Sequence, residues 1–125
     1  GRSVASGGRA RLMPYLLLIH EPVGQRAERG EAAGRVVYEQ MLGFTDQLQQ
    51  RGVLMASSAL QSQQHGVKIS AGRVLDGPFA EAKEMVGGFF LVDCDSMAEA
   101  VAIAHECPAA EWATVEVRET GPCYV

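Results

Sequence analysis

Charged residues follow a turn signal near the middle of the chain, in the stretch DGPFAEAKE (76–84). Asp76 and Glu84 supply carboxylates, and Lys83 supplies an ammonium group. A carboxylate beside apolar walls has a raised pKa and can act as a base near neutral pH. A lysine next to it can bind an anionic substrate or stabilise developing negative charge. These residue types predict acid–base chemistry on a small organic molecule, with Asp76, Lys83 and Glu84 as candidate catalytic residues.

The same stretch can also be interpreted as a structural clasp. Asp76 would then accept backbone N–H bonds in an Asx turn, Gly77 would supply an unusual φ, and Pro78 would fix the chain. Phe79 would fill a gap in the core, and Lys83 would pair with a neighbouring glutamate for about 0–1 kcal/mol. In the functional interpretation, Pro78 and Phe79 contact the ligand instead. Both interpretations remain open from the sequence.

Three further residues are candidates for the same cleft. His20 ends the first predicted strand beside Glu21, where a histidine can shuttle protons or simply bond to Glu21 or a carbonyl group. Ser58 lies near the end of the second predicted strand. Gly88 leaves a gap on a strand face, where a ligand can approach closely. His105, by contrast, is expected in the last turn of a helix, where a cation complements the helix dipole.

The cysteines and glycines predict neither a metal site nor a cofactor site. Cys94, Cys107 and Cys123 are widely spaced and form no C-x-x-C pair, which also argues against a disulfide framework. His105 and Cys107 are two residues apart on a predicted helix, so they face different ways. Gly87-Gly88 lies inside a predicted strand rather than at a strand-to-helix turn, so it is no phosphate cradle.

Composition predicts one globular domain over 13–125, because domains commonly contain about 100–150 residues. A net charge of −4 argues against a nucleic-acid partner. No apolar run approaches the ~18 residues of a membrane span, and the cysteine pattern favours the cytoplasm. The segment 1–12 is rich in Gly, Ser and Arg and has no period, which predicts a disordered extension or a cloning remnant. A basic tail that binds a partner is the alternative.

The hydrophobic pattern predicts seven elements. Strand patterns cover 13–21, 53–60, 67–74, 85–92 and 112–119, and helix patterns cover 33–51 and 96–108. One apolar stripe marks the first helix: Val37, Met41, Phe44 and Leu48. Gly52 is its predicted C-terminal glycine. Ser96 and Glu99 form a capping box, and Pro108 ends the second helix. The polar, glycine-containing segment 22–34 predicts a loop.

The order β-α-β-β-β-α-β predicts an α+β, ferredoxin-like fold with an antiparallel sheet and one additional strand. Right-handed crossovers place both helices on one face of the sheet. The strands are apolar on both sides, so the other face would be a bare apolar surface, which is unusual on a monomer. We therefore expect a homodimer that pairs these sheet faces.

A longer string carries a family resemblance: LDGPFAEAKEMVGGFFLVD (75–93), followed by CPAA (107–110) and VEVRE (115–119). It resembles the DGPF family within the YCII-related superfamily of small α/β proteins. The resemblance implies a ferredoxin-like fold and a dimer whose sheets face each other. In the YCII branch, a histidine early on the first helix and an aspartate further along are the proposed catalytic pair. That histidine position falls near Met41 here, and a thioether cannot transfer protons, so the pair does not carry over.

Two functions follow from the sequence. The first is a cleft beside the DGPF segment that binds a small organic ligand and performs acid–base chemistry on it. The second is a non-catalytic module that senses a ligand or binds a regulatory partner, with DGPF as a structural clasp.

Overall fold

A computed structural model describes residues 14–76 and 82–124 of the chain. The predicted extension 1–12 lies outside the described residues, as do Pro78 and Phe79. Of Asp76, only the backbone is described.

The described elements form an α+β fold. They are β1 Pro14–Pro22, α1 Gln25–Arg29, α2 Glu31–Gln50, β2 Leu54–Ala59, β3 Val67–Ser70, β4 Arg73–Asp76, β5 Glu84–Asp93, α3 Met97–Glu106 and β6 Thr114–Glu119. Short 3-10 helices cover Gln63–His65 and Pro108–Glu111. The main sheet has four strands in the order β2-β5-β1-β6, and every neighbouring pair is antiparallel. The predicted ferredoxin-like class with an antiparallel sheet is confirmed.

The core lies between one face of this sheet and the helices α2 and α3. Alternate residues of β1, among them Leu17, are buried on that face, because successive strand side chains point to opposite sides. Phe44 and Leu48 reach this core from α2, and Ala100 and Ile103 reach it from α3. Both helices therefore pack on the same sheet face. The apolar stripe that predicted α2 supplies its buried residues.

The helix α2 ends at the C-terminal glycine that the sequence predicts. Gly52 has a φ of 74°, a left-handed conformation that glycine adopts without strain. Its N–H donates to the carbonyl of Gln49, and the N–H of Val53 donates to the carbonyl of Leu48. These two bonds form a Schellman motif, which satisfies carbonyls that the helix leaves open.

The boundaries of α3 are also confirmed. The hydroxyl of Ser96 accepts from the N–H of Glu99, and the carboxylate of Glu99 accepts from the N–H of Asp95. These bonds satisfy donors at the helix start. Pro108 begins the next 3-10 helix directly after the cap residue that ends α3.

The predicted loop over 22–34 is wrong, because most of it is helical. It contains α1 and the first turn of α2, separated by Gly30. Gly24 and Gly30 have positive φ values of 91° and 85°, so these glycines flank helices instead of making an open loop. The helix α1 has no buried residue, which explains why it has no hydrophobic stripe in the sequence. Its side chains attach it to distant parts of the chain, as described below.

The single strand predicted over 67–74 is also wrong. The segment forms a hairpin, β3–β4, that is a separate two-stranded sheet, so the expected additional strand is not part of the main sheet. Ala71 and Gly72 make the turn with positive φ values of 51° and 75°. Both values belong to the type I′ turn that suits the twist of hairpins. The sequence did not predict this turn for two reasons. Alternating apolar residues give the same pattern in one long strand and in two short ones, and alanine seldom adopts a positive φ.

Candidate functional site

A cleft of about 1190 Å³ lies between the helices α1 and α2 and the helix-facing side of the sheet. Ile19 of β1 and Phe90 of β5 lie on the sheet side of this cleft. Val37 and Met41 line it from α2, and Trp112 lines it from the segment before β6. The cleft is therefore concave and mostly apolar, as small-molecule sites in proteins usually are.

The cleft exists because α2 packs on the sheet only along its second half. The helix has 20 residues, and its buried residues are Phe44 and Leu48. In the first half, Val36 and Tyr38 are more than half exposed. At 1.5 Å per residue, this first half extends roughly 15 Å beyond the packed part. The space below it is the cleft.

A partly buried ion pair crosses one side of the cleft. Glu21 continues the buried side of β1 and is 7% exposed. Arg26 donates to its carboxylate from Nε at 2.7 Å and from Nη2 at 3.0 Å, and its Nη1 donates to the carbonyl of Leu60 at 2.9 Å. The two parallel bonds fix both side chains, as bidentate arginine–carboxylate pairs do. This contact joins α1 to β1 and to the end of β2.

Gly87 and Gly88 make room for these contacts. A register shift between Ile19 and His20 marks a bulge on β5, and both glycines are buried and line the cleft. A bulge breaks the alternation of side chains, so two consecutive residues of β5 can border the same cleft. A Cβ at Gly87 would collide with the carboxylate of Glu21, and a Cβ at Gly88 would meet a backbone carbonyl at 3.0 Å.

Two further arginines line the cleft, one on each side of Gly30. Arg35 pairs with Glu31 one turn away on α2, and both side chains are 77% exposed. The guanidinium of Arg29 lies over the ring of Trp112, 5.6 Å from its centroid, and donates to the side-chain oxygen of Gln25 at 2.9 Å. The Gln25 amide in turn donates to the backbone carbonyl of Trp112 at 2.8 Å.

The predicted site residues divide between two sides of the sheet. Ser58 and Gly88 line the cleft. His20 alternates with the cleft residues Ile19 and Glu21, so its side chain lies on the opposite, open sheet face. The expectation that His20 bonds to Glu21 is therefore not met.

The DGPF candidates lie outside the cleft lining or outside the described residues. Lys83 and Glu84 are exposed and are not among the residues that line the cleft. Glu84 lies on the open sheet face with His20, because β5 pairs His20 with Val86, two residues away. The side chain of Asp76 belongs with Pro78 and Phe79 to the part that the structure does not describe. Their predicted roles stay predictions.

On the open sheet face, His20 forms a polar cluster with two residues of β6. Its Nε2 lies 2.8 Å from the carboxylate of Glu116, which also accepts from Nε of Arg118 at 2.8 Å. The hydrogen bond from His20 is the main cause that lowers the pKa of Glu116 below its ordinary value of 4.5, and the hydrogen bond from Arg118 is the second.

This lowered pKa predicts an acid-dependent loss of stability. Folding favours the ionised form of Glu116, so its contribution is present above pH 4.5 and is lost as the pH falls through the lowered pKa. We expect Glu116→Gln to be less stable than wild type at neutral pH, and the difference to shrink near pH 3. Urea unfolding at both pH values measures it. Glu119→Gln is the control for charge on the same strand, and a difference that does not change with pH contradicts the assignment.

Metal and thiol chemistry find little support in the parts of the chain that are described. Residues 14–76 and 82–124 contain no group of three His, Cys, Asp or Glu side chains arranged to hold a metal ion. Cys94 and Cys107 are buried, and burial raises the pKa of the Cys107 thiol, which disfavours the reactive thiolate. Within the same ranges, every helix is too short or too polar to cross a bilayer.

The fold and the sequence together define the family of the chain. Residues 13–122 match the YCII-related domain, so the protein belongs to the YCII-related family. An uncharacterised protein of Rhizobium meliloti (strain 1021) is 54% identical over 33 residues. This alignment covers 26% of the present chain and 27% of that protein, so it indicates relatedness over a short segment.

Sequence reasoning missed the polar groups that line the cleft. Arg26, Arg29 and Trp112 were not candidates, because their partners are distant in sequence or lie in a segment predicted to be a loop. One signal was present nonetheless. Strand alternation places Glu21 on the same face as Leu17 and Ile19, and a carboxylate on a buried face requires a cation or several donors.

Proposed function

We propose that this protein binds a small organic molecule in the cleft between α2 and the sheet. The observation that carries the proposal is the cleft itself, about 1190 Å³ of mostly apolar space with a few fixed polar groups. Ile19, Phe90 and Met41 offer apolar surface, and Arg26 and Arg29 offer polar groups on one side. Ligand sites of about 300–1,000 Å³ commonly combine these two features.

The polar groups of the cleft favour binding over proton transfer. Both carboxylate oxygens of Glu21 accept hydrogen bonds from Arg26, which also bonds to a backbone carbonyl. A carboxylate held in this way positions neighbouring groups and is a poor acceptor for a substrate proton. The cleft therefore suits recognition of a ligand, and a sensing or regulatory role is compatible with it.

The DGPF string supports a more specific grouping. We place the chain in the DGPF subgroup of the family because 75–93 carries the full string and not the four letters alone. The N–H of Val23 donates to the carbonyl of Lys83, which ties the end of the DGPF segment to the connection before α1. The segment thus ends next to the helix that carries Arg26 and Arg29, beside the cleft.

The active unit in this proposal is a homodimer through the open sheet face. Four half-buried apolar side chains lie there in cross-strand pairs: Leu16 opposite Leu91, and Leu18 opposite Phe89. A second copy would cover them, as in most symmetric dimers. We expect sedimentation equilibrium to give twice the chain mass of 13.4 kDa. The single mass at micromolar concentration contradicts the dimer.

Acid–base catalysis on the open face is the second candidate. His20 lies 2.8 Å from the carboxylate of Glu116, and a carboxylate commonly orients a catalytic histidine. Glu84 shares this face, and Lys83 and Asp76 complete the predicted catalytic set. Turnover of a small molecule that His20→Asn abolishes, while ligand binding in the cleft stays unchanged, would favour catalysis on the open face over sensing.

Filling the cleft tests the binding proposal. Gly34 and Gly43 both lie on α2, and an added Cβ meets nothing within 4 Å at either position, but only Gly34 lines the cleft. We expect Gly34→Leu to weaken binding of the neutral probe cinnamamide by about tenfold or more, because leucine occupies the space. Gly43→Leu is the matched control and keeps wild-type affinity. Calorimetric titration measures both, and equal affinities for the two variants contradict the cleft as the site.

A further inference from the structure

We infer that the ligand of the cleft is an organic acid whose acid group is held by Arg29. This inference rests on the proposed function, since it names the chemical class that the same cleft would take. The charges of the arginines that line the cleft carry the inference.

The three arginines of the cleft differ in how they are used. Arg26 is bonded to Glu21, and Arg35 is bonded to Glu31. Each of these pairs is locally neutral and leaves no net charge for a ligand. Arg29 donates to a neutral amide oxygen, and no carboxylate among the described side chains of 14–75 and 82–124 forms an ion pair with it. Within the described part of the cleft lining, Arg29 is thus the arginine whose positive charge is not balanced.

The position of Arg29 is fixed before any ligand arrives. Its guanidinium lies 5.6 Å from the centroid of the Trp112 ring, and one of its N–H groups is bonded to Gln25. Gln25 is itself bonded to the backbone of Trp112, so the three residues form a closed set of contacts. A guanidinium has five N–H donors, and this arrangement uses one of them in a hydrogen bond. A planar fork held in place loses little entropy when it binds a carboxylate with two parallel bonds.

The rest of the cleft defines the other half of the ligand. Phe90, Ile19, Val37 and Met41 present apolar surface in the same cavity as Arg29. The acidic residues of the described lining, Glu21 and Glu31, are each paired with an arginine and repel an incoming anion little. The arrangement fits an acid with a flat or aliphatic apolar body. It does not fit a bare inorganic anion, which would leave the apolar walls unused.

Two probes of the same shape test the inference. Cinnamate and cinnamamide share one apolar body and differ in charge. We expect wild-type protein to bind cinnamate about tenfold more tightly, because a charge-assisted bidentate contact adds to the apolar contact. Calorimetry gives the affinities, and the indole N–H signal of Trp112, the single tryptophan of the chain, reports occupancy of the cleft by NMR.

The variants separate Arg29 from general positive charge. Arg29→Gln is expected to bind the two probes with similar affinity. Arg29→Lys keeps the charge without the fork and retains part of the preference. Arg35→Gln is the matched control, because it removes an arginine that is already paired, and it keeps the preference for cinnamate.

The outcomes distinguish the two proposals. If wild type binds neither probe, the proposed function and this inference both fail. If wild type binds both probes equally, or if Arg29→Gln retains the full preference for cinnamate, the inference is overturned while the binding cleft stands. A preference that Arg35→Gln removes and Arg29→Gln does not would assign the acid group to Arg35 and would equally overturn it.

Discussion

Gly87→Val is expected to lower the free energy of unfolding by about 2–3 kcal/mol. A Cβ at this position collides with the carboxylate of Glu21 and comes within 3.0 Å of the guanidinium of Arg26. The side chains must separate, which leaves Glu21 without its cation at a buried position. Breaking a fully buried pair costs about 3–5 kcal/mol, and we reduce this figure because the Arg26 side chain is 37% exposed.

Chemical unfolding followed by circular dichroism measures this loss. Gly43→Ala is the control for the glycine replacement itself, because an added Cβ there meets nothing and the residue lies inside α2. It should raise stability by about 0.5–1 kcal/mol. Glu21→Ala combined with Gly87→Val removes the carboxylate and the atoms that the new side chain would meet, so it should recover part of the loss. A Gly87→Val variant as stable as wild type would show that the ion pair does not depend on the glycine.

Leu48→Ala is expected to cost about 3 kcal/mol of stability. Leu48 has no exposed surface and packs in the core between α2 and the sheet, so truncation leaves a cavity that its neighbours cannot fully close. Leu42 provides the matched comparison, since it lies on the same helix, is 42% exposed and lines the cleft. Leu42→Ala should cost less than about 1 kcal/mol.

The effects of the two variants on ligand affinity should have the opposite order to their effects on stability. Leu42→Ala removes apolar surface from the cleft and should weaken the binding of cinnamamide, whereas Leu48→Ala should leave the affinity of the folded fraction unchanged. Calorimetry well below the unfolding transition measures both. Equal stability losses for the two variants would contradict the distinction between α2 residues that pack in the core and α2 residues that line the cleft.

The elements with local signals were predictable from the sequence. The strand β5 is a continuous apolar run, α2 carries a stripe ending in Gly52, and α3 begins with a capping box at Ser96. Each signal lies within a few residues of the element that it defines, and the structure agrees with each. The position of both helices on one face of the sheet follows from right-handed connections between these elements.

The errors share a physical cause, which is dependence on distant partners. The helix α1 has no buried face and is attached by the hydrogen bonds of Gln25 and Arg26 with residues up to 87 positions away. The hairpin β3–β4 depends on one turn, in which Ala71 adopts a conformation that its residue type disfavours. The cleft depends on how far α2 extends past the sheet, a property of packing that periodicity does not encode. Ser58 and Gly88 were found because strand position alone places them there.

The contact among Glu21, Arg26 and Gly87 has a consequence for how the family can diverge. The three positions lie on three separate elements, yet a change at any one of them disrupts the contact that joins all three. Relatives with a side chain at the position of Gly87 should therefore lack an acid at the position of Glu21, and should have lost the arginine with it. Such concerted replacement would mark lineages in which this wall of the cavity was rebuilt and its chemical preference redirected.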